Sequence, residues 1–402
     1  MKIMIADDSA VTRRMLKDAV TAWEYEVVEA ENGNDAWDIL QAKDPPRLAI
    51  LDWLMPGTDG PEICRRIREA NQEHYTYLVL LTSQSEREQI IEGLQSGADD
   101  YLVKPCDTGE LEQRLRAGAR IIELQDRLLD ANKKLARDLE VAARVQQAQL
   151  PAKSPSFGRC EVAWSYKPCD ELGGDFLNVF QLDDDHIGLY LLDVTGHGVP
   201  AALVSVAVSR ALQPSQFDTC IVSKPVRSQN ARVESLNLTP PAGVAEILNR
   251  RFPTDGSMGQ FFSLIYAVLN PATGQLHLVS AGHPPPVFVR NGHRPGYLEV
   301  LNGPPIGVLQ PEHIAYQPYE EYSIDLRRGD RLFFYSDGVT EAFDKRGRQF
   351  GDDHLLRSLE YNAFESLDEL VVRLVNEVQD WSEGAGLKDD VSVLAVELGA
   401  NH

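Results

Sequence analysis

Four aspartates in the C-terminal part of the chain stand where apolar runs end. Asp175 follows the pair Gly173-Gly174, and Asp193 follows Ile187-Gly-Leu-Tyr-Leu-Leu192. Asp337 comes just after Arg331-Leu-Phe-Phe-Tyr335, and Asp389, with Asp390 beside it, precedes Val391-Ser-Val-Leu-Ala-Val396. A carboxylate closing a buried strand is costly to desolvate unless something offsets its charge. The glycines let the backbone turn sharply or come close to a ligand. Carboxylates gathered this way suit hard divalent cations, which prefer oxygen ligands. Taken singly, Asp175 or Asp193 reads as well as a solvated strand-end turn; four acidic strand ends on one pole of a sheet structure read as a cation site.

The chain that must position them has 402 residues, 43% of them apolar, enough for two domains with sizeable cores. Its net charge of −22 argues against a nucleic-acid groove or an anionic membrane surface. The five cysteines (Cys64, Cys106, Cys160, Cys169, Cys220) are scattered and read as reduced thiols rather than a disulfide frame or zinc site. Met1-Lys-Ile-Met-Ile-Ala runs directly into Asp7-Asp8, unlike a signal peptide. No apolar run approaches the roughly 20 residues of a membrane span. A cytoplasmic protein is expected.

Residues 1–118 alternate short apolar runs with amphipathic stretches. Lys2–Ala6, Glu26–Ala30, Leu48–Leu51, Tyr77–Leu81 and Tyr101–Val103 read as strands, with helices such as Ala10–Ala22 and Pro61–Glu69 between them. The pattern predicts an α/β doubly wound, flavodoxin-like parallel sheet, whose ligands bind outside the carboxyl ends of the strands. Those ends carry Asp7-Asp8, Asp52, Thr82 and Lys104. Such a set supports phosphoryl transfer to a carboxylate: Mg²⁺ on Asp7 and Asp8, Asp52 as nucleophile, Thr82 hydrogen-bonding a phosphoryl oxygen and Lys104 as a point charge. A plain helix cap at Asp7-Asp8 is the simpler alternative. Order and spacing resemble a CheY-type response-regulator receiver, in which Lys104-Pro105 matches a cis-proline turn and Tyr101 a rotating aromatic switch. The resemblance implies a sensor histidine kinase as phosphodonor.

From about Thr108 to Leu150 there is no internal proline, and Ile121, Leu124, Leu128, Ala131, Leu135, Ala142 and Val145 fall on a 3-4 spacing. The stripe over linker residues 119–150 predicts a coiled coil, most simply a parallel homodimer; a helix packed on its own C-terminal domain is the alternative. Ala131, Asp138 and Gln149 weaken the seam, as suits an element that shifts between two packings. Its place between the domains makes it the expected route from receiver to metal site.

Residues 151–402 mix strands (Cys160–Tyr166, Phe176–Gln181, Gly188–Leu192, Phe261–Leu269, Gln275–Ala281, Val287–Arg290, Tyr297–Val300, Leu332–Tyr335) with helices at Pro200–Leu212, Ala242–Arg251 and Leu367–Trp381. This predicts an α+β fold, a β-sandwich flanked by helices. The polar, proline-containing residues 213–243 read as a mobile insertion.

Gly-Gly-Asp-Phe (173–176), Asp-Val-Thr-Gly-His-Gly (193–198), Ala281-Gly-His-Pro284, Ser-Asp-Gly-Val-Thr-Glu-Ala (336–342) and Asp-Asp-Val-Ser (389–392) together resemble the SpoIIE/RsbU branch of the PP2C metal-dependent Ser/Thr phosphatases, over about residues 151–398. The resemblance implies two Mn²⁺ or Mg²⁺ ions bridged by Asp193, with the Val194 carbonyl beside it, Asp175 on one ion, and Asp337 and Asp389 on the other. Asp389 is preferred to Asp390 because the first of the family's pair is the ligand. Such ions, about 3.5–4 Å apart, lower the pKa of a bridging water towards 7 for attack on a phosphoserine or phosphothreonine. The implied substrate is a phosphorylated anti-sigma-factor antagonist of the STAS type. His197 reads as loop-shaping before general acid, and His283 as a turn brace. No arginine near Asp175 offers itself as a phosphate clamp, and Lys167 is a weak substitute. Two rivals remain: a diguanylate-cyclase-like output, which Gly-Gly-Asp-Phe echoes without the signature glutamate, and a non-catalytic partner-switching adaptor.

Overall fold

The computed structural model describes residues 1–70, 74–83, 87–153, 155–214, 220–227, 233–254 and 259–399. Two compact units emerge, Met1–Arg137 and Asp138–His402.

In the first unit, β1 (Lys2–Ala6), β2 (Glu26–Ala30), β3 (Leu48–Asp52), β4 (Tyr77–Thr82) and β5 (Asp100–Val103) alternate with α1 (Ala10–Ala22), α2 (Gly33–Leu40), α3 (Gly60–Glu69), α4 (Arg87–Gln95) and the start of α5 (Thr108–Gln147). The strands form one parallel sheet in the order β2-β1-β3-β4-β5. Helices cover both faces, so β3 and β4 are buried at every position and read as unbroken apolar runs. Met4, Ala49 and Leu51 pack on one face, and Ile3, Ile5 and Ile50 on the other. The strand order reverses at β1 and β3, placing the crevice where Asp7 and Asp52 stand.

Helix α5 continues for 40 residues, roughly 60 Å, through the expected boundary at residue 118. Gly118 is no break: a Cβ there would come within 2.4 Å of the Tyr77 ring. Leu111, Leu115 and Ile122 pack into the first unit, and Arg47 pairs with Asp126 at 3.0 Å. Beyond them Leu124, Leu128, Leu135, Val141 and Val145 are exposed, so the predicted stripe lies uncovered in the single chain.

The second unit is a sandwich. One sheet runs β16-β13-β12-β9-β8, with β17 also on β13; the other runs β15-β14-β18-β19-β7-β6. In chain order these strands are β6 (Ser156–Phe157), β7 (Cys160–Lys167), β8 (Phe176–Gln181), β9 (Ile187–Val194), β12 (Phe262–Leu269), β13 (Gln275–Ala281), β14 (Val287–Val289), β15 (Gly296–Tyr297), β16 (Asn302–Gly303), β17 (Tyr322–Asp325), β18 (Arg331–Tyr335) and β19 (Val391–Leu398). Leu177, Leu189 and Leu191 of the first sheet meet Leu332, Leu394 and Val396 of the second. The opposite sides of the same strands, Tyr190 and Leu192 or Phe333 and Val393, lie under helices α6 (Val199–Leu212) and α7 (Pro241–Arg251), or α9 (Gly351–Tyr361) and α10 (Leu367–Trp381). The helix α8 (Asp337–Thr340) turns out of β18.

Residues 213–243 depart from expectation. They carry an antiparallel hairpin, β10 (Ser223–Arg227) with β11 (Val233–Leu238), while residues 215–219 and 228–232 lie outside the described ones. A two-stranded ribbon need not bury both faces, so its polar composition masked it. The strand expected over Tyr297–Val300 shrinks to Gly296–Tyr297. Its partner β14 is preceded by Pro284-Pro285-Pro286, which have no N–H with which to extend the ladder.

Candidate functional site

At the carboxyl ends of the parallel sheet, oxygens of Asp7, Asp8 and Asp52 all lie within 4.8 Å of one another, a cage suited to one divalent cation. Lys104 Nζ donates to Asp7 Oδ2 and to Asp52 Oδ1, both at 2.7 Å. Burial raises the Asp52 carboxyl and the Lys104 ammonium opposes that shift. Thr82 is buried at the end of β4, Tyr101 is half-buried against the core, and Lys104-Pro105 is cis. The helix cap is Ser9, whose Oγ accepts from Thr12 N–H, so Asp7 and Asp8 are free of that task. A buried residue not singled out from the sequence, Arg13, donates to the Asp7 and Asp8 carbonyls at 2.9 and 3.2 Å and to Glu31 at 2.7 Å. It fixes the acidic loop from behind.

In the second unit the strand pairing sets the other aspartates. Asp193 lies within β9, paired with Ser263 of β12, and β8 brings Asp175 in one residue before Phe176, which pairs with Leu192. In the facing sheet, β18 and β19 run antiparallel, Tyr335 opposite Val393, so Asp337 and Asp389 come off at the same end. Asp175 is wholly buried, its Oδ2 accepting from Ser392 Oγ at 2.6 Å, while its Oδ1 finds no hydrogen-bond partner. Asp337 Oδ1 is likewise buried and unpartnered.

Burial first, then the charges of Asp193 and Asp390, drive the Asp175 carboxyl well above the ordinary range. Burial followed by Asp337 and Asp389 pushes Asp193 up to about 7. No lysine or arginine among the described residues forms an ion pair with either, and none is among the main influences on them. Four acids held together against their own repulsion, two with orphaned oxygens, are what a divalent-cation site presents without its ions. Their oxygens are spread wider than the receiver trio: among the described residues, no three of them lie mutually within 4.8 Å.

Asp390 has a different employment. Its Oδ1 accepts from Cys169 N–H at 2.8 Å and its Oδ2 from Asp175 N–H at 3.1 Å, so it holds the Gly-Gly-Asp loop by its backbone. Among the described residues Asp389 accepts only from the neighbouring Asp390 N–H, and it stands at the exposed rim. Val194 ends β9 with its carbonyl beside Gly174. Exposed His197 pairs with Asp170 at 2.6 Å and lies near enough to Asp389 to act on its charge. Ser336 and Ser392, which lie inside two of the sequence motifs, tie the two strand ends together: Ser336 Oγ donates to Asp390 O and accepts from Ser392 N–H. The larger omission was Gln146. Buried in the last turn of α5, its Nε2 donates to Gly173 O at 2.8 Å and to Ser205 Oγ at 3.3 Å. Nothing local distinguishes it from Gln147 or Gln149.

His283 is buried, hydrogen-bonded through Nδ1 to Ser263 Oγ at 2.7 Å, while its carbonyl accepts from Asn302. Burial lowers its pKa to about 3. The sign follows: between about pH 6.5 and 3 the unfolded chain binds a proton the folded one refuses, so the contribution of this group to stability falls as pH drops through that window. At pH 5 the cost is about 2 kcal/mol relative to pH 7.5. The buried aspartates act in the opposite sense, so the test is a difference. The stability of His283→Gln relative to wild type, from urea titrations, should rise by about 2 kcal/mol from pH 7.5 to 5, and a constant difference would refute the assignment.

Among the described residues no helix is long and apolar enough to cross a membrane. Residues 183–399 match the family described as stage II sporulation protein E (SpoIIE), and residues 3–116 the response regulator receiver domain. Protein IcfG of Synechocystis sp. is 26% identical over 271 residues, 64% of this chain and 41% of its own length. Chemotaxis protein CheY1 of Helicobacter pylori is 32% identical over 116 residues, covering 29% of this chain and 94% of that protein. The SiaA-PP2C domain of Pseudomonas aeruginosa, at 21% identity, superposes with a TM-score of 0.52 over 66% of this chain and 98% of its own, which gives the second unit a PP2C fold. The chain spans about half the length, or less, of the first curated relatives it matches, 41% of IcfG and 51% of the phosphate regulon regulator PhoB of Pseudomonas aeruginosa. With the first match taking in more than half of its residues, the chain belongs to the SpoIIE family and carries an N-terminal response regulator receiver domain.

Proposed function

We propose that this chain is a response regulator whose output is metal-dependent hydrolysis of phosphoserine or phosphothreonine on a partner protein, controlled by phosphorylation of Asp52. The observation that carries the reading is the convergence of Asp175, Asp193, Asp337 and Asp389, with buried, unpartnered oxygens on Asp175 and Asp337. These four, with the Val194 carbonyl, would hold two Mn²⁺ or Mg²⁺ ions, which when bound supply Lewis-acid polarisation of the phosphoryl group and an activated water. Asp193, which acts on Asp175 and is acted on by Asp337 and Asp389, would be the central ligand of the set. Asp390 keeps the Asp175 backbone in place and Ser392 orients its carboxylate; Asp390 is no ligand in this reading. His197, paired with Asp170, shapes the glycine loop at the rim.

The receiver site would take Mg²⁺ on Asp7, Asp8 and Asp52, accept a phosphoryl group on Asp52 from a sensor histidine kinase, and hold it with Thr82 and Lys104, Tyr101 reporting the change. The exposed stripe of α5 supports a parallel homodimer through that helix. The same helix reaches the metal loop through Gln146, so a shift of its last turn would move the Gly173 carbonyl two residues before Asp175. A phosphorylated STAS-type anti-sigma-factor antagonist is the substrate class we assign.

Mn²⁺-dependent release of phosphate from a phosphoserine peptide, and not from its phosphotyrosine analogue, is the expected result. Beryllofluoride on Asp52 should change turnover or dimer affinity; no effect on either would sink the regulatory part alone. Gln146→Leu removes a buried donor worth about 1–3 kcal/mol, so turnover should drop roughly 5- to 100-fold and the beryllofluoride response should disappear. Unchanged turnover and response in that variant would remove Gln146 from the route.

A further inference from the structure

At the far end of β18 and β19 from the aspartates, where Arg331 pairs with Glu397, the surface turns basic in a chain whose net charge is −22. A cleft of about 640 Å³ is lined there by Arg290, His293, Arg294, Arg328, Arg331 and Phe364. Counting Glu360 and Glu397 on the same walls, four arginines face two glutamates, a local net charge of +2 before His293 is counted.

The arrangement is built rather than incidental. Asp330, 1% exposed, accepts from Asn291 N–H at 3.0 Å and from Arg327 N–H at 2.8 Å, which clamps together the two turns that carry the arginines. Arg331 is committed to structure: it bonds Glu397 and the carbonyls of Ala363 and Glu365, fixing the α9–α10 loop that forms the third wall. The others are available. Arg294 pairs with Glu360 at 2.9 Å across open surface, a contact of the weak exposed kind that a competing carboxylate can displace. Arg290 lies over the Phe288 ring, and neither it nor Arg328 pairs with an acid among the described residues. Phe364 is fully exposed, with Tyr361 nearly so three residues earlier. Exposed aromatics beside uncommitted arginines are the composition of protein-binding hot spots.

We propose that this cleft docks an acidic segment of a partner protein, with an apolar side chain set against Phe364. The guanidinium groups stand beside the exposed Phe364 ring, a combination that a peptide carrying carboxylates and an apolar anchor satisfies. A phosphate ion or a phosphate backbone offers nothing to that ring, and the chain's net charge opposes a polyanion at long range. The surface is separate from the proposed metal site and its occupancy requires no catalysis.

The test uses the full chain and a fluorescein-labelled twelve-residue peptide of alternating glutamate and leucine, followed by anisotropy without added metal. Binding that weakens as salt rises from about 0.05 to 0.3 M is expected, with at least a ten-fold loss of affinity in the Arg290→Gln/Arg328→Gln double variant and in Phe364→Ser. The lysine–leucine counterpart should not bind. Equal affinity in wild type and both variants would overturn the proposal, as would tighter binding of a labelled single-stranded DNA of the same length. Mn²⁺-dependent phosphate release should be unaltered in these variants. Loss of peptide binding with hydrolysis intact supports the cleft, whereas absent hydrolysis in the wild type would count against the phosphatase reading and leave the cleft standing.

Discussion

Asp193→Asn will abolish metal-dependent phosphate release and, in the metal-free protein, raise stability. Asp193 is half-buried beside Asp337 and Asp389, and burial plus those charges hold its pKa at about 7 against an ordinary value of 3.8. Because the folded pKa lies above the unfolded one, the native state resists ionisation. The penalty is absent below about pH 3.8, builds between 3.8 and 7, and is constant above. At about 1.4 kcal/mol per unit, the carboxylate costs the apo fold on the order of 4 kcal/mol at pH 8, and less once neighbouring groups relax. Asparagine keeps the shape and carries no charge, so its apo form should unfold at higher urea, by about 2–4 kcal/mol, with the gain vanishing near pH 4. Saturating Mn²⁺ should reverse the order, since ions that bind only the native wild type stabilise it by mass action. Turnover should fall by about 10³-fold or more, the scale of several kcal/mol of lost transition-state stabilisation. Urea titrations from pH 4 to 8, with EDTA or Mn²⁺, read both effects. An apo variant less stable than wild type at pH 8 would mean that the carboxylates are not pressed together as described.

Gly173→Ala should be nearly as damaging to activity while leaving all four clustered carboxylates in the sequence. A Cβ at Gly173 would sit 2.0 Å from the Tyr166 phenol oxygen and 2.3 Å from Asp390 Oδ2. That Oδ2 is the acceptor for Asp175 N–H, so displacing Asp390 releases the segment that presents Asp175. Overpacking of this kind costs about 1–3 kcal/mol, and ångström-scale misplacement of a reacting group costs about 100-fold in rate. Combining it with Tyr166→Phe removes the nearer clash and should restore part of the stability but little turnover, because the Asp390 contact remains. Gly296→Ala, where a Cβ meets nothing within 4 Å, is the control and should be silent. Full activity in Gly173→Ala would show that the Asp390 clamp does not matter.

Legibility in the sequence followed the range of the interactions involved. Lys2–Ala6, Glu26–Ala30 and Ala10–Ala22 fall where the periodicity put them, because burial of one face or of both is written residue by residue. The hairpin within 213–243 escaped, since its polar strands lack that signature. So did β17, a four-residue edge strand only partly covered.

By itself the sequence determined where acidic groups stand at the ends of apolar strands, and therefore that the chain carries two sets of strand-end carboxylates on two kinds of sheet. That is local information: strand periodicity places a side chain at a strand end wherever the strand goes. The tertiary structure alone decided that Asp390 holds the Cys169 and Asp175 amides, that Gln146 reaches the Gly173 carbonyl, and that two arginine-bearing turns meet over Asp330. Asp390 meets Asp175 across 215 residues of chain, and such encounters depend on how sheets stack and which ends coincide, which no spacing along the chain records.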